Sequence, residues 1–493
     1  MIYFIQTRHE KIDSWSKCWN KENKVGIQSF SRRSFLKFEA AGTLVAAGMA
    51  LPLAGGQPVA TQRKGELAEP THELPLAEDC DVIVAGGGPA GISAAVSAAR
   101  AGAKVRLFEM HGALGGVWTS GLLGCLIDFD KSAIDREIMR RLKALGVLLV
   151  RNPRRKDARV ANFTYDPECM KVVCEEMCTE AGVDFRLHTM VVAAYRDSSG
   201  RNVETIVTES KEGRRAWRAK MFIDCTGDGD LSAQAGCGYD IGGPDGGNDQ
   251  PASLCAIVFS PHPDRVAPYA VNHPDNFDAN GRLRTESPKK RMHAEMVRAG
   301  LSPSYSMPTL FMVREGVYVW MMNHVYGLKI DDAAGLARET VRARREVLDG
   351  ARALTRLGGA WEGFCVLATA EQLGHRAARR VHGRYTLTAD DVSSGAVFPD
   401  AVTTSNFCVD VHATSAEKNK KAAYSSQGVK AKPFQIPLRA CMAKDADNLY
   451  LAGRCISGDF IPMASYRVTG SAVAMGEAVG RAAAARAGHH SPR

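Results

Sequence analysis

Residues 80–109 read CDVIVAGGGPAGISAAVSAARAGAKVRLFE. Val82 to Ala85 is a short apolar run ending in glycine, which predicts a strand buried on both faces. Gly86, Gly88 and Gly91 then complete G-x-G-x-x-G. In that motif the first glycine allows the tight turn, the second lets a pyrophosphate approach the backbone, and the third lets a helix pack on the strand. Pro89 sits where a helix starts without needing its N–H, and the free N–H groups and dipole of that helix end favour phosphate. Ala94, Ala95, Ala98 and Ala99 keep the helix slim, Gly102 ends it, and Lys104 to Phe108 reads as a second strand. Glu109 closes that strand 23 positions after Gly86, where an acid accepts hydrogen bonds from ribose hydroxyls and repels a 2′-phosphate. Strand, loop, helix, strand and acid in register describe a dinucleotide-binding unit.

The same loop serves NAD or FAD, so the flanking sequence decides between them. HGALGGVWTSGLLG (111–124) sets Gly115 and Gly116 just beyond Glu109, where an NAD domain goes on to another strand and helix. The chain closes with NLYLAGRCISGDFIPMASYRVTGSAVAMGEAVGRAAAARA (448–487), read as a strand from Leu449, a turn at Gly453-Arg454 and a long helix from Gly470. The positive N-terminus of such a helix stabilises negative charge on a reduced flavin. MFIDCTGDGDL (221–231) is a buried strand breaking at Thr226-Gly227, preceded from Phe185 to Lys220 by short β runs separated by turns, a meander.

This order of motifs resembles the FAD-dependent oxidoreductase family that includes the flavin portion of the heterodisulfide reductase A subunit. YDPECMKVVCEEMCTEAGVDFRLHTMV (165–191), LGHRAARRVHGRYTLTADD (373–391) and IPLRACMAKDADNLYLAGRCIS (436–457) also match its pattern, so the likeness spans residues 80–487. It implies an α/β glutathione-reductase-type FAD-binding fold, a Rossmann-like parallel sheet plus β-meander, with an inserted α+β cap. Loop and resemblance together make Gly86, Gly88, Pro89, Ala90, Gly91, Glu109, Gly115, Gly116, Val191, Thr226, Gly227, Asp228, Gly453, Arg454, Gly470 and Ser471 the candidate FAD contacts. A 4Fe-4S cluster follows only by family association. Cys169, Cys174 and Cys178 are spaced C-x4-C-x3-C, which misses the ferredoxin patterns, and at 100° per residue only Cys174 and Cys178 share a helix face.

Between these motifs, DIGGPDGGNDQPASLCAIVF (240–259) is a glycine-rich loop entering a strand, either a wall beside the flavin or a surface loop. Residues 332–357 carry apolar groups at helical spacing among many arginines, a solvated helix face. His375, Arg376, Arg379, Arg380 and His382 form a basic run: a helix pairing with acids of the FAD domain, or groups that bind an anionic substrate or donate a proton. His375, Arg376, His412 in CVDVH, Tyr466 and Arg467 are the catalytic candidates.

Towards the N-terminus, residues 61–79 are rich in Pro, Glu, Lys and Thr and read as a linker. Before it, Ser31 to Lys37 (SRRSFLK) resembles the twin-arginine export consensus, and Leu44 to Ala54 is apolar but shorter than the roughly 20 residues a bilayer needs. Residues 1–60 are therefore expected to be an export signal, cleaved near Ala54 or Ala60, with a start near Val25 giving a more ordinary length. Without them the formal net charge falls from +9 to +5, too mild for a nucleic-acid partner. Thirteen cysteines are too dispersed for a disulfide scaffold.

The expected organisation is thus a signal (1–60), a linker (61–79), a first FAD-binding segment (80–239), a substrate cap (240–385) and a second FAD-binding segment with the C-terminal helix (386–493). The expected function is periplasmic or otherwise extracytoplasmic flavin-mediated electron transfer from a small organic substrate to a quinone, haem protein or oxygen, no metal being required. The alternatives are an NAD-dependent dehydrogenase and a non-catalytic flavin- or carbohydrate-binding protein.

Overall fold

The computed structural model describes residues 61–63, 66–68, 73–150, 161–243, 247 and 249–489. The twin-arginine stretch and the signal expected over residues 1–60 lie outside them. Residues 1–72 and 73–493 are two separate units. In the first, Thr61–Arg63 pairs antiparallel with Glu66–Ala68, so this stretch of the expected linker is a hairpin. In the second, the last linker residues are held as well: Ala77 N–H donates to Ala216 O and Ala216 N–H to Pro75 O, adding an edge to the sheet.

The glycine stretch forms β1 (Cys80–Ala85), α1 (Pro89–Arg100) and β2 (Val105–Phe108). Downstream come β3 (Asp184–Arg186), β4 (Met190–Arg196), β5 (Val203–Ser210) and β6 (Gly213–Asp224). β6 does two jobs. Its first half pairs antiparallel with β5, which pairs with β4, making the meander. Its second half turns apolar (MFI) and enters the parallel sheet beside β1. β2 pairs with β1 and β3 with β2, all parallel.

The middle segment, expected to be a cap, carries β7 (Ala256–Phe259), β8 (Thr309–Arg314), β9 (Val317–Met321), α2 (Ala333–Arg356) and β10 (Cys365–Thr369). Its antiparallel sheet runs β8-β9-β7-β10, with β8 and β9 joined across Glu315-Gly316, where Gly316 takes a φ of +73°. α2 presents Ala343, Val347, Gly350, Ala351 and Leu354 to this sheet, and Gly350 leaves room for the Trp320 ring. This sheet meets the loop after β2 at Gly124, where a Cβ would lie 2.6 Å from Val319 Cγ2.

The chain then returns through β11 (Leu449–Leu451), parallel to β6, and α3 (Thr469–Arg486). α3 packs along α1 with almost no gap: a Cβ at Gly476 would lie 2.2 Å from Ala90 O, and one at Gly480 would lie 2.3 Å from Ala94 O. Ser93 and Ser97 of α1 fasten the contact, donating to Val473 O and Glu477 O at 2.7 Å each. The alanines of α1 thus serve helix-on-helix packing as well as the sheet. Among the described residues no helix is long and apolar enough to cross a membrane. The cysteines there are all free.

Candidate active site

A cleft of about 450 Å³ opens at the carboxyl ends of four parallel strands, β1, β2, β6 and β11, and is lined there by Ala85, Phe108, Cys225 and Ala452. Crevices at this edge of an open α/β sheet bind ligands because strand ends and helix N-termini converge there. Gly86 has a φ of +95°, and a Cβ on it would meet Cys225 O at 2.4 Å, so the turn admits only glycine. A Cβ on Gly88 would meet nothing within 4 Å, because that direction is the cleft itself. No side chain caps the N-terminus of α1, which leaves first-turn N–H groups for a ligand. Gly115 N–H donates to Gly87 O, so the Gly115-Gly116 turn leans on the loop.

Glu109 is buried where the adenosine end of a dinucleotide would lie. Its Oε2 accepts from Gly87 N–H at 2.7 Å, while Oε1 accepts from His111 N–H at 2.9 Å and lies 2.6 Å from His111 Nδ1. The strand break after β6 is organised by Asp224, fully buried, which accepts from the backbone and hydroxyl of both Thr226 and Ser232. That turn aims Asp228 at Arg454, 2.7 Å away, joining the β6 and β11 ends across the cleft. At the N-terminus of α3, Thr469 Oγ1 is buried without a protein partner and lines the cleft.

Twelve of the sixteen candidate FAD contacts line this cleft: Gly86, Gly88, Pro89, Ala90, Glu109, Gly116, Val191, Thr226, Gly227, Asp228, Gly453 and Arg454. Four do not. Gly91 is a packing residue, since a Cβ there would fall 1.8 Å from Gly86 O, and Gly115 is turned toward the Thr119 side chain. Gly470 lets α3 cross Asp128, whose carbonyl oxygen a Cβ would approach to 1.9 Å. Ser471 is fully buried with its hydroxyl 3.1 Å from Lys131 Nζ, which also pairs with Asp128 and donates to Thr404 O at 2.7 Å.

Of the catalytic candidates, His375, Arg376, His412 and Arg467 line the cleft at its cap end. Tyr466 does not; its ring is buried against Gly458 and its hydroxyl donates to Ile456 O at 3.1 Å. The basic run is extended rather than helical, because Arg380–Val381 pairs with Tyr239–Asp240. The run divides its residues: Arg379 Nη1 donates to Asp230 at 2.9 Å, while His375 and Arg376 line the cleft.

Asp410 sits between two of the candidates. Its Oδ2 is 3.2 Å from His412 Nε2 and 3.1 Å from Arg467 Nη2. Burial raises its pKa, but the His412 hydrogen bond and the Arg467 and Arg376 charges prevail and hold it below the usual carboxylate range. Burial, reinforced by Arg376, pushes His412 down to about 3, so its ring is neutral at physiological pH. Arg467 is pulled down to about 10, mainly by burial, and keeps its charge. Burial likewise lowers His324 and His375. Tyr305 stacks on His324 at 3.9 Å between ring centroids and lies 5.8 Å from His412. Asp410, Tyr305, His111 and Thr189 line the cleft but were not sequence candidates. Only Asp410 carried a signal, two residues before His412 in CVDVH, the i, i+2 spacing that puts side chains on one face of extended chain.

Among the described residues no group of His, Cys, Asp or Glu is arranged to hold a metal. Cys174 and Cys178 are buried in the helix Pro167–Glu180 and their thiols are pushed up by burial, so they pack rather than ligate. The open space at Gly88 and the unpartnered Thr469 Oγ1 fit an extended dinucleotide.

No curated protein matches this chain. Among solved structures it resembles a geranylgeranyl bacteriochlorophyll reductase-like protein from Thermoplasma acidophilum, at 13% identity over 84% of this chain and 79% of that one, TM-score 0.42. It also resembles an aromatic hydroxylase from angucycline biosynthesis, at 16% identity over 62% of this chain and 54% of the other, TM-score 0.38. A p-nitrophenol 4-monooxygenase from Pseudomonas putida is similar at 14% identity, over 63% and 70% of the two chains, TM-score 0.35. The family described as FAD dependent oxidoreductase matches residues 81–492, the whole of the glycine loop, cap and returning helix. The cofactor is therefore FAD rather than NAD, and the chain belongs to the FAD-dependent oxidoreductase family.

Proposed function

We propose that this protein is an exported enzyme that oxidises a small organic substrate and delivers the electrons to a quinone, a haem protein or oxygen rather than to a nicotinamide. The observation that carries the reading is the continuity of the cleft from Gly88 to Arg376, His412 and Arg467 beneath the cap. FAD, when bound there, supplies the two-electron redox chemistry. The chain supplies the rest. Gly86, Gly88 and the N-terminus of α1 hold the pyrophosphate, Glu109 the ribose, and the N-terminus of α3 a positive field at the other end. Residues 240–385 act as the cap that excludes water, between the FAD-binding segments 80–239 and 386–493. Arg376 and Arg467 provide fixed positive charge, and the neutral imidazoles of His375 and His412 offer uncharged hydrogen-bonding groups.

Within the family, the motif order supports a likeness to the flavin portion of the heterodisulfide reductase A subunit, without its cluster ligands. SRRSFLK (31–37) supports twin-arginine export, which suits a cofactor buried by segments as distant as Gly88 and Thr469 and hence loaded before translocation. Export implies a compartment where NAD(P)H is not expected. Changing Arg32 and Arg33 to lysine is expected to leave yellow holoprotein inside the cell; unaltered export contradicts the signal. An anaerobic substrate panel followed by flavin absorbance is expected to find an organic compound that bleaches the enzyme, whereas rapid saturable oxidation of NADPH contradicts the proposed direction.

A further inference from the structure

Arg376 is a buried charge that touches only neutral groups, with the nearest acid, Asp410, acting on it at a distance. Its Nη1 donates to Pro251 O at 2.6 Å and Ser253 Oγ at 3.0 Å, and Nη2 faces Met321 Sδ at 3.5 Å, all neutral groups. Among the described residues no carboxylate lies within ion-pair distance of it. The acid at this end of the cleft, Asp410, is already shared by Arg467 and His412. A buried cation in that position is costly until an anion joins it.

His412 adds a second requirement. Its Nε2 faces an ionised Asp410, so Nε2 carries the proton and donates. The ring being neutral, Nδ1 is a bare acceptor, and it is buried with no protein partner. The two groups are neighbours: Gln250 Oε1 accepts from His412 N–H at 3.0 Å, and the next residue, Pro251, accepts from Arg376. Tyr305, Phe311, Phe407 and Tyr424 supply apolar wall around them.

We propose that this end of the cleft receives a hydroxycarboxylic acid, its carboxylate on Arg376 and its hydroxyl donating to Nδ1 of His412. A planar carboxylate matches the guanidinium fork, and a hydroxyl satisfies the bare nitrogen. The proposal rests on the reading of this cleft as the substrate end of a flavin oxidoreductase.

Calorimetric titration of FAD-loaded protein with glycolate, lactate and mandelate, each beside its amide, and with phenylacetate tests it without requiring turnover. At least one hydroxy acid is expected to bind about tenfold or more tighter than its amide, and mandelate by a similar factor over phenylacetate. Arg376→Met is expected to bring the acid down to the affinity of the amide, and His412→Phe to erase the preference for mandelate over phenylacetate. Equal binding of acid and amide by the unaltered protein overturns the proposal, as does the failure of all three hydroxy acids to bind. If Arg376→Met loses flavin while its residual holoprotein binds the acid normally, the guanidinium serves the cofactor and the proposal is likewise overturned. A chain that takes up no FAD at all would instead refute the flavoenzyme reading.

Discussion

Replacing Gly88 with leucine is expected to give a folded but colourless protein. Gly88 has a φ of −75° and a ψ of −171°, open to any residue, and a Cβ there meets no protein atom within 4 Å. The leucine side chain therefore strains nothing in the fold and fills the space over the first turn of α1 that a pyrophosphate needs. FAD binding is expected to weaken by about a hundredfold or more, roughly 3 kcal/mol, with little change in melting temperature of the flavin-free protein. Gly91 is the control that separates binding from folding. Its Cβ would sit 1.8 Å from Gly86 O, so Gly91→Val is expected to fail to fold rather than merely lose colour. Flavin absorbance per chain, set beside thermal unfolding of each variant, distinguishes the two. A yellow Gly88→Leu protein contradicts the assignment of the cleft.

Mild acid is expected to draw stability from the buried histidines, partly offset by Asp135 and Asp230, which burial raises to about 7 and about 6. His324, His375 and His412 are all pushed below the ordinary histidine value, chiefly by burial, and His412 reaches about 3. A histidine of depressed folded pKa protonates first in the unfolded chain. Its contribution is fully present above the unfolded value near 6.5 and is lost as the pH falls toward the folded value. A group protonated only in the unfolded chain removes about 1.4 kcal/mol per pH unit in that window; His412 contributes that full share between pH 6 and 5, and His324 and His375 act in the same direction. Denaturant midpoints of the flavin-free protein across pH 5 to 8 measure this, and His412→Phe should flatten the slope by about one group's share. A His412→Phe protein whose slope matches that of the unaltered chain contradicts neutral burial of this ring.

The glycine loop, the acid after β2, the meander and the returning helix were legible in the sequence because each answers a local constraint. A Cβ at Gly86 or Gly91 has nowhere to go, β6 shows its change of environment in the switch from RRAWRAK to MFI, and Asp224 organises its turn within eight residues. The far end of the cleft was only partly legible. Arg376, His412 and Arg467 stood out by residue type, but Tyr305, His324 and Asp410 arrive from separate segments of the chain, Asp410 just before the short strand Val411–His412, and no periodicity joins residues so far apart. Tyr466 misled because it adjoins Arg467: on a helical turn, neighbours in sequence point in different directions, and its ring went to the core. Gly470 and Ser471 carry packing duties that their sequence did not show, the crossing of α3 over Asp128 and the Lys131 network. The basic run was ambiguous because Gly374 and Gly383 bracket it without fixing a period, and β-pairing at Arg380–Val381 made it extended.

The most direct test of the account is the absorption spectrum of the purified chain incubated with FAD and freed of excess. Stoichiometric, tightly held flavin that is bleached anaerobically by an organic substrate is the result expected of a cleft running from Gly88 to Arg376. A protein that folds yet retains no flavin, or retains flavin that no substrate in a broad panel reduces, contradicts it.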